Sequence, residues 1–228
     1  MVVPKSLFSA YVGKVPECLL TAINDNDGEI VFDKETLDSL MSYDAIGIGM
    51  GVGVSKEVYK TIEYLLKNYK GTLLIDADGL NVLSEFGDEI LLDKTCKVIL
   101  TPHVGEFTRL ANVKKEEILE NPIDFAVNYA RHNDVILALK SAVSIITDGN
   151  DCFINVTGTA GMAKAGSGDV LSGFILGLVA RNSDLLTTTA AGCYLFGRAG
   201  EIAEETECQF TMTASDVLKA LPRAISRL

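Results

Sequence analysis

The sequence is short of several features that would have fixed its class at once. Cations are scarce: 20 Lys plus Arg stand against 31 Asp plus Glu, a net charge of −11. A nucleic-acid binder needs a net basic face to neutralise phosphates, so that class is disfavoured. The five cysteines (Cys18, Cys96, Cys152, Cys193 and Cys208) are odd in number and scattered, with no C-x-x-C among them. That argues against a disulfide framework and a structural zinc, and suits a reducing, cytoplasmic compartment. No uncharged apolar run reaches the roughly 20 residues that span a bilayer, and the N-terminus has no apolar segment of signal-peptide type. G-x-S-x-G is missing, so a nucleophile-elbow hydrolase has no anchor. G-x-x-x-x-G-K-[ST] is missing too, which excludes a P-loop. The dinucleotide fingerprint fails as well, because the sixth position counted from Gly47 or Gly49 is Val52 or Val54. Linkers, repeats and low-complexity stretches are lacking.

What is present is an apolar chain. Of 228 residues, 48% are hydrophobic and 22% charged, enough apolar surface to offset the entropy of folding. Short apolar runs alternate with helix-period segments. Asp44 to Gly49, Thr72 to Asp76, Lys97 to Thr101 and Val135 to Leu139 read as strands. A helix is expected from the N-cap Ser55, with Val58, Ile62, Leu65, Leu66 and Tyr69 on one face. Val143 to Thr147 and Cys152 to Val156 flank Asp148-Gly149-Asn150-Asp151, the spacing of a hairpin at a sheet edge. Further helices are expected over Phe125–Arg131, Val170–Val179 and Leu185–Glu205, with a last one opened by Thr213 and its capping partner Asp216. The apolar pattern begins at Met1 itself, as though the chain opens inside a strand. Strand–helix alternation with apolar strands predicts one α/β domain over residues 1–228, a mostly parallel sheet with helices on both faces.

In open sheets of this kind ligands collect at the carboxyl ends of the strands. Four polar or glycine-rich loops fall there: Gly49 to Gly53, Asp76 to Asn81, Thr101 to Glu106, and Gly158 to Asp169. The last contains Gly161-Met162-Ala163-Lys164-Ala165-Gly166-Ser167-Gly168-Asp169. Glycines beside a helix start let backbone N–H groups approach an anion, and the helix dipole adds positive potential. Asp169 either caps that helix or acts as a general base toward a hydroxyl attacking phosphorus. Asp76-x-Asp78 is not an EF-hand start, because Leu80 stands where an oxygen ligand is needed. Its carboxylates either cap the next helix or position a ligand. His103 and Glu106, three apart, fit one helical face. Two such groups make no zinc site, and the other histidine, His132, lies at a polar helix end. His103, following Pro102 at a strand end, is expected to hydrogen-bond a substrate.

Taken in order, five segments resemble the ADP/ATP-dependent NAD(P)H-hydrate dehydratases of the ribokinase-like superfamily. They are Ile48 to Gly53, Asp76 to Asn81, Thr101-Pro102-His103-x-Gly105-Glu106-Phe107-x-Arg109-Leu110, Leu139-Lys140, and Gly161-Met162-Ala163…Gly166-Ser167-Gly168-Asp169-Val170-Leu171. Thr213-Ala214-Ser215-Asp216 also fits. The resemblance implies a ribokinase-like three-layer sandwich and a repair reaction. Hydrated NADH or NADPH is phosphorylated on its ring hydroxyl by ADP or ATP, and elimination of phosphate regenerates the reduced cofactor. Asp169 would be the base, and the backbone amides of Ser167, Gly168 and Asp169 would stabilise the transferring phosphoryl group. Gly53, His103, Glu106 and Arg109, with Asp169, would line the hydrated-cofactor site. Lys140, Ser141, Ala142, Val143 and Ser144, with Ser167 and Gly168, would meet the nucleotide. Mg²⁺ would accompany the nucleotide, with protein ligands unknown. A homo-oligomer, tetramers included, is also implied.

Two departures stand out. Lys164 and Ala165 replace the Thr and Gly common in the family, so Lys164 is expected as a phosphate contact. Family members also carry a glycine-rich strand–helix unit before the position of Met1, so the domain is expected to be N-terminally short. Alternatives are a small-molecule kinase of the same superfamily, for a hydroxymethyl-pyrimidine or thiazole alcohol, and an inactive nucleotide binder.

Overall fold

In the computed structural model, which describes residues 1–227, the first segments form β1 (Val2–Pro4), α1 (Phe8–Tyr11), β2 (Thr21–Ile23), β3 (Asp25–Asn26), β4 (Glu29–Ile30) and α2 (Lys34–Leu40). Alternation then sets in with β5 (Ala45–Ile48), α3 (Lys56–Asn68), β6 (Thr72–Ile75), α4 (Asp78–Phe86), β7 (Lys97–Leu100), α5 (Val104–Leu110), α6 (Lys115–Glu120), α7 (Pro122–Asn133) and β8 (Ile136–Leu139). The chain continues through β9 (Ser144–Thr147), β10 (Cys152–Asn155), α8 (Ser167–Val179), α9 (Leu185–Thr211) and α10 (Ala214–Ile225).

Six strands make the main sheet, in the order β10-β9-β8-β7-β6-β5. β5 to β8 run parallel, and β9 and β10 turn antiparallel as the edge hairpin. Period-two alternation sends neighbouring side chains to opposite faces. Leu73, Ile75, Leu100 and Leu137 enter one core with Val58, Ile62 and Leu66 of α3, Leu83 of α4 and Phe107 of α5. Leu74, Ile99, Ala138 and Ile146 enter the other with Leu171 and Ile175 of α8, Phe196 and Ile202 of α9, and Val217 of α10. Covered on both sides, β6 is wholly buried, which is why Leu73, Leu74 and Ile75 follow one another without a polar break.

Local signals place the helices. Ser55 accepts from the Val58 amide at the start of α3, and Thr213 with Asp216 forms a capping box on α10. Several boundaries differ from expectation, α7 reaching Pro122–Asn133 among them, and three are informative. α8 begins at Ser167 instead of Val170, because Gly166 takes a left-handed φ of 85° and turns the chain straight into the helix. α9 extends to Thr211 across a break at Cys208, whose φ is 60°. The strand expected at Met1 is β1, but it pairs in parallel with β2 as a separate ribbon and does not join the main sheet.

Candidate active site

The carboxyl ends of the four parallel strands lie along one rim, so the loops that follow them converge. Gly49 follows β5 with φ of 119°, and its carbonyl accepts from the Asp78 amide at 3.0 Å. The Gly53 amide donates to Asp78 Oδ2 at 2.9 Å, tying the glycine loop to the first residue of α4. After β6 the chain turns at Ala77, whose φ of 50° is rare for a residue with a side chain. Such strain of about 1–3 kcal/mol persists only where the surroundings fix it.

Asp76 caps no helix. It is 1% exposed and accepts from Lys140 Nζ at 2.8 Å through Oδ1 and from Ser172 Oγ at 2.6 Å through Oδ2. The Ala77 amide adds a third hydrogen bond at 2.8 Å. Ser172 Oγ also lies 3.3 Å from Thr101 Oγ1, so β6, β7, β8 and α8 are joined through one buried polar cluster. Removing one partner from a buried ion pair costs about 3–5 kcal/mol, so this cluster holds the rim together.

The start of α8 faces the cluster. A Cβ on Gly168 would lie 3.4 Å from Lys140 Nζ and 3.8 Å from Asp76 Oδ2. No side chain caps this helix, and the Gly168 and Asp169 amides have no acceptor among the described residues. The Ser167 amide differs from expectation, because it donates to the Lys164 carbonyl at 3.2 Å. The Ser167 hydroxyl is instead the open group, buried with no hydrogen-bond partner among the described residues. Asp169, third residue of the helix, is exposed and its carboxylate is unpartnered among the described residues, so it does not act as a side-chain cap. Two free amides, an orphaned hydroxyl and a positive helix end form an anion cradle.

His103 and Glu106 are neighbours, with Nε2 and Oε1 3.4 Å apart, but across a helix cap and not along one helical face. His103 is the N-cap of α5, extended in backbone, and the pair forms a capping box. The Glu106 amide donates to His103 Nδ1 at 3.2 Å, and the His103 amide donates to Glu106 Oε2 at 2.8 Å. Glu106 is thereby buried as a structural anchor, while His103 stays exposed. Arg109 lies on the same helix and grips Asn81 Oδ1 with Nε at 3.2 Å and Nη2 at 2.8 Å. Gly53, Asp78, Asn81 and Arg109 thus form a chain of contacts bridging the β5–α3 loop, α4 and α5.

Ser141, Ala142 and Val143 are exposed in the turn from β8 to β9, closed by Ser141 Oγ donating to the Val143 carbonyl and Ser144 Oγ to the Ser141 carbonyl. Lys140 alone of that segment points into the buried cluster. Lys164 does not reach the cradle, because its ammonium donates to the Phe210 carbonyl at 2.7 Å near the end of α9. Ser172, one turn beyond Gly168, escaped the sequence reading, and Asp76 was left undecided between cap and ligand. The available signal was chemical: Asp76 and Lys140 are polar residues that each end an otherwise apolar strand.

A three-layer α/β sandwich with an anion cradle at its strand ends has the ribokinase-like fold. A ribokinase-like superfamily protein from Enterococcus faecalis matches it with a TM-score of 0.81 at 22% identity, over 99% of this chain and 75% of that one. The sequence profile of the NAD(P)H-hydrate dehydratase family matches residues 13–223, and the chain belongs to that family. An ADP/ATP-dependent NAD(P)H-hydrate dehydratase from Bacillus subtilis, co-crystallised with ATP and Mg²⁺, superposes with a TM-score of 0.80 at 25% identity, over 98% of this chain and 78% of that one. The bifunctional NAD(P)H-hydrate repair enzyme of Moorella thermoacetica is 36% identical over 194 residues, 84% of this chain and 36% of that protein. The ADP-dependent (S)-NAD(P)H-hydrate dehydratase of Cenarchaeum symbiosum is 33% identical over 78% of this chain and 61% of its own length. The chain therefore spans about a third of the first of these relatives and under two thirds of the second.

Proposed function

We propose that this chain dehydrates hydrated NADH or NADPH at the expense of ADP or ATP. The observation that carries this reading is the first turn of α8, where the Gly168 and Asp169 amides, the orphaned Ser167 hydroxyl and the unpartnered Asp169 carboxylate share one helix start. Hydroxide is a poor leaving group and phosphate a good one. Asp169 takes the proton of the ring hydroxyl as its oxygen attacks the terminal phosphorus, and the nucleotide departs with the bond it held. The amides of Gly168 and Asp169 meet the charge that develops on the transferring group. Phosphate then leaves with the ring's carbon–oxygen bond, and loss of the adjacent ring proton restores the reduced nicotinamide.

His103, exposed at the N-cap of α5, and Arg109, held by Asn81, face the hydrated cofactor beside Gly53. Lys140 and the Ser141–Ser144 turn meet the nucleotide. Among the described residues no three His, Cys, Asp or Glu side chains converge. Mg²⁺ would therefore be held chiefly by the nucleotide's own phosphates and would neutralise their charge. The five unpaired cysteines support a reducing, cytoplasmic setting. A homo-oligomer, the tetramer included, is proposed on the family resemblance, and the exposed Phe153 and Ile154 leave edge strand β10 open to such a contact.

Incubation with hydrated NADH or NADPH, Mg²⁺ and each nucleotide in turn tests the reading. Inorganic phosphate released together with reduced cofactor is expected. A stable phosphorylated alcohol would show a kinase instead, and nucleotide binding without turnover would show an inactive binder.

A further inference from the structure

Asp76 has no role in the reaction as written, yet it is the most heavily engaged carboxylate on the rim. It lies 1% exposed at the end of β6, and its two oxygens hold groups from two other elements, Lys140 after β8 and Ser172 on α8. Lys140 Nζ is thereby set against Gly168, close enough that a Cβ there would lie 3.4 Å from it. A nucleotide phosphate in the cradle would meet this ammonium already paired with a carboxylate. Pairing fixes the cation's position and also reduces its attraction for an anion. A site built for tight nucleotide binding alone would leave the lysine free.

We propose that Asp76 is a positioning residue: it pins Lys140 Nζ beside the start of α8, trading nucleotide affinity for a fixed cation during phosphoryl transfer. The proposal rests on the phosphoryl-transfer reading of this site. The substitution Asp76→Asn separates charge from connectivity, because the amide oxygen still accepts from Lys140 and the amide nitrogen can donate to Ser172 Oγ. Its signature is opposite in sign for binding and catalysis. Freed from the carboxylate, Lys140 attracts phosphate more strongly, while the transition state loses a placed charge. A residue with a merely structural role would weaken both.

The experiment is calorimetric titration of ADP–Mg²⁺ and ATP–Mg²⁺ into wild type, D76N, K140Q, D76N/K140Q and S172A, with turnover of hydrated NADH measured beside it. D76N is expected to bind nucleotide at least about threefold more tightly, with kcat at least about tenfold lower. The added K140Q should erase the gain in affinity. Unchanged or weaker binding by D76N overturns the proposal, as does a gain that survives K140Q. If D76N does not fold, S172A decides the matter. Mass-spectrometric acylation of Lys140 should rise in S172A as its tether loosens, and an unchanged rate overturns the proposal. Lack of turnover by wild type would refute the dehydratase reading, while the titrations and the acylation would still judge Asp76.

Discussion

Gly49 and Asp76 touch backbone to backbone at the strand ends. A Cβ on Gly49 would stand 1.8 Å from the Asp76 carbonyl oxygen and 2.8 Å from the Gly79 amide nitrogen. With its φ of 119°, Gly49 also occupies a conformation that side chains resist. Gly49→Ala is therefore expected to lose about 2–3 kcal/mol of stability. Thermal unfolding should show this as a Tm roughly 5–10 °C lower. Because Asp76 holds Lys140, turnover should fall with it.

Asp169 is the other half of the account. Its carboxylate is unpartnered among the described residues, and the cradle beside it is backbone, so base and binding surface are separable. Asp169→Asn should lose at least about a hundredfold in kcat. Nucleotide affinity should stay within about tenfold, as checked by calorimetry. A near-normal rate would remove Asp169 from the role of base.

Acid stability follows from carboxylates whose charged forms are hydrogen-bonded. Asp25 is held below its ordinary 3.8 chiefly by the Ser6 hydroxyl, Asp33 by the Thr36 amide, Asp38 by Lys34, and Asp216 by the Thr213 hydroxyl. Between the lowered folded values and 3.8 the unfolded chain binds more protons, so stability rises with pH across that window. The contribution is fully present above the ordinary carboxylate range and is lost as pH falls through the folded values. Chemical denaturation at a series of pH values should show this. Asp216→Asn should be less stable than wild type at neutral pH, and the difference should shrink as pH falls below 3.8.

The cysteines divide by burial. Cys96 is pushed up to about 11 and Cys193 to about 12, because burial disfavours their thiolates. Cys18 and Cys208 are exposed, and Cys152 is exposed but raised by partial burial. An aromatic disulfide reagent should label Cys18 and Cys208 quickly and Cys152 more slowly. Cys96 and Cys193 should react only after denaturation. Rapid labelling of either would contradict the packing of the core around it.

Much of this was legible in the sequence. The strands showed because two-sided burial removes polar residues from them, and the Asp148–Asp151 turn marked the edge hairpin. Ser55 and Thr213 announced their helices because capping chemistry is local. The start of α8 was missed because Ser167 and Gly168 are weak helix formers, and only tertiary placement makes them helical. Lys164 was placed on phosphate because nothing local reveals the Phe210 carbonyl that takes its ammonium. The Asp76 cluster was least legible. Asp76 is 64 residues from Lys140 and 96 from Ser172, and no periodicity links positions so far apart.

The central claim is that this chain restores hydrated nicotinamide cofactor by nucleotide-driven dehydration. The most direct test mixes the purified protein with hydrated NADH, Mg²⁺ and ADP or ATP and follows the near-ultraviolet absorbance of the reduced nicotinamide. The account predicts that absorbance returns with at least one nucleotide, in proportion to enzyme, and not in the absence of nucleotide. No return with either nucleotide would contradict it.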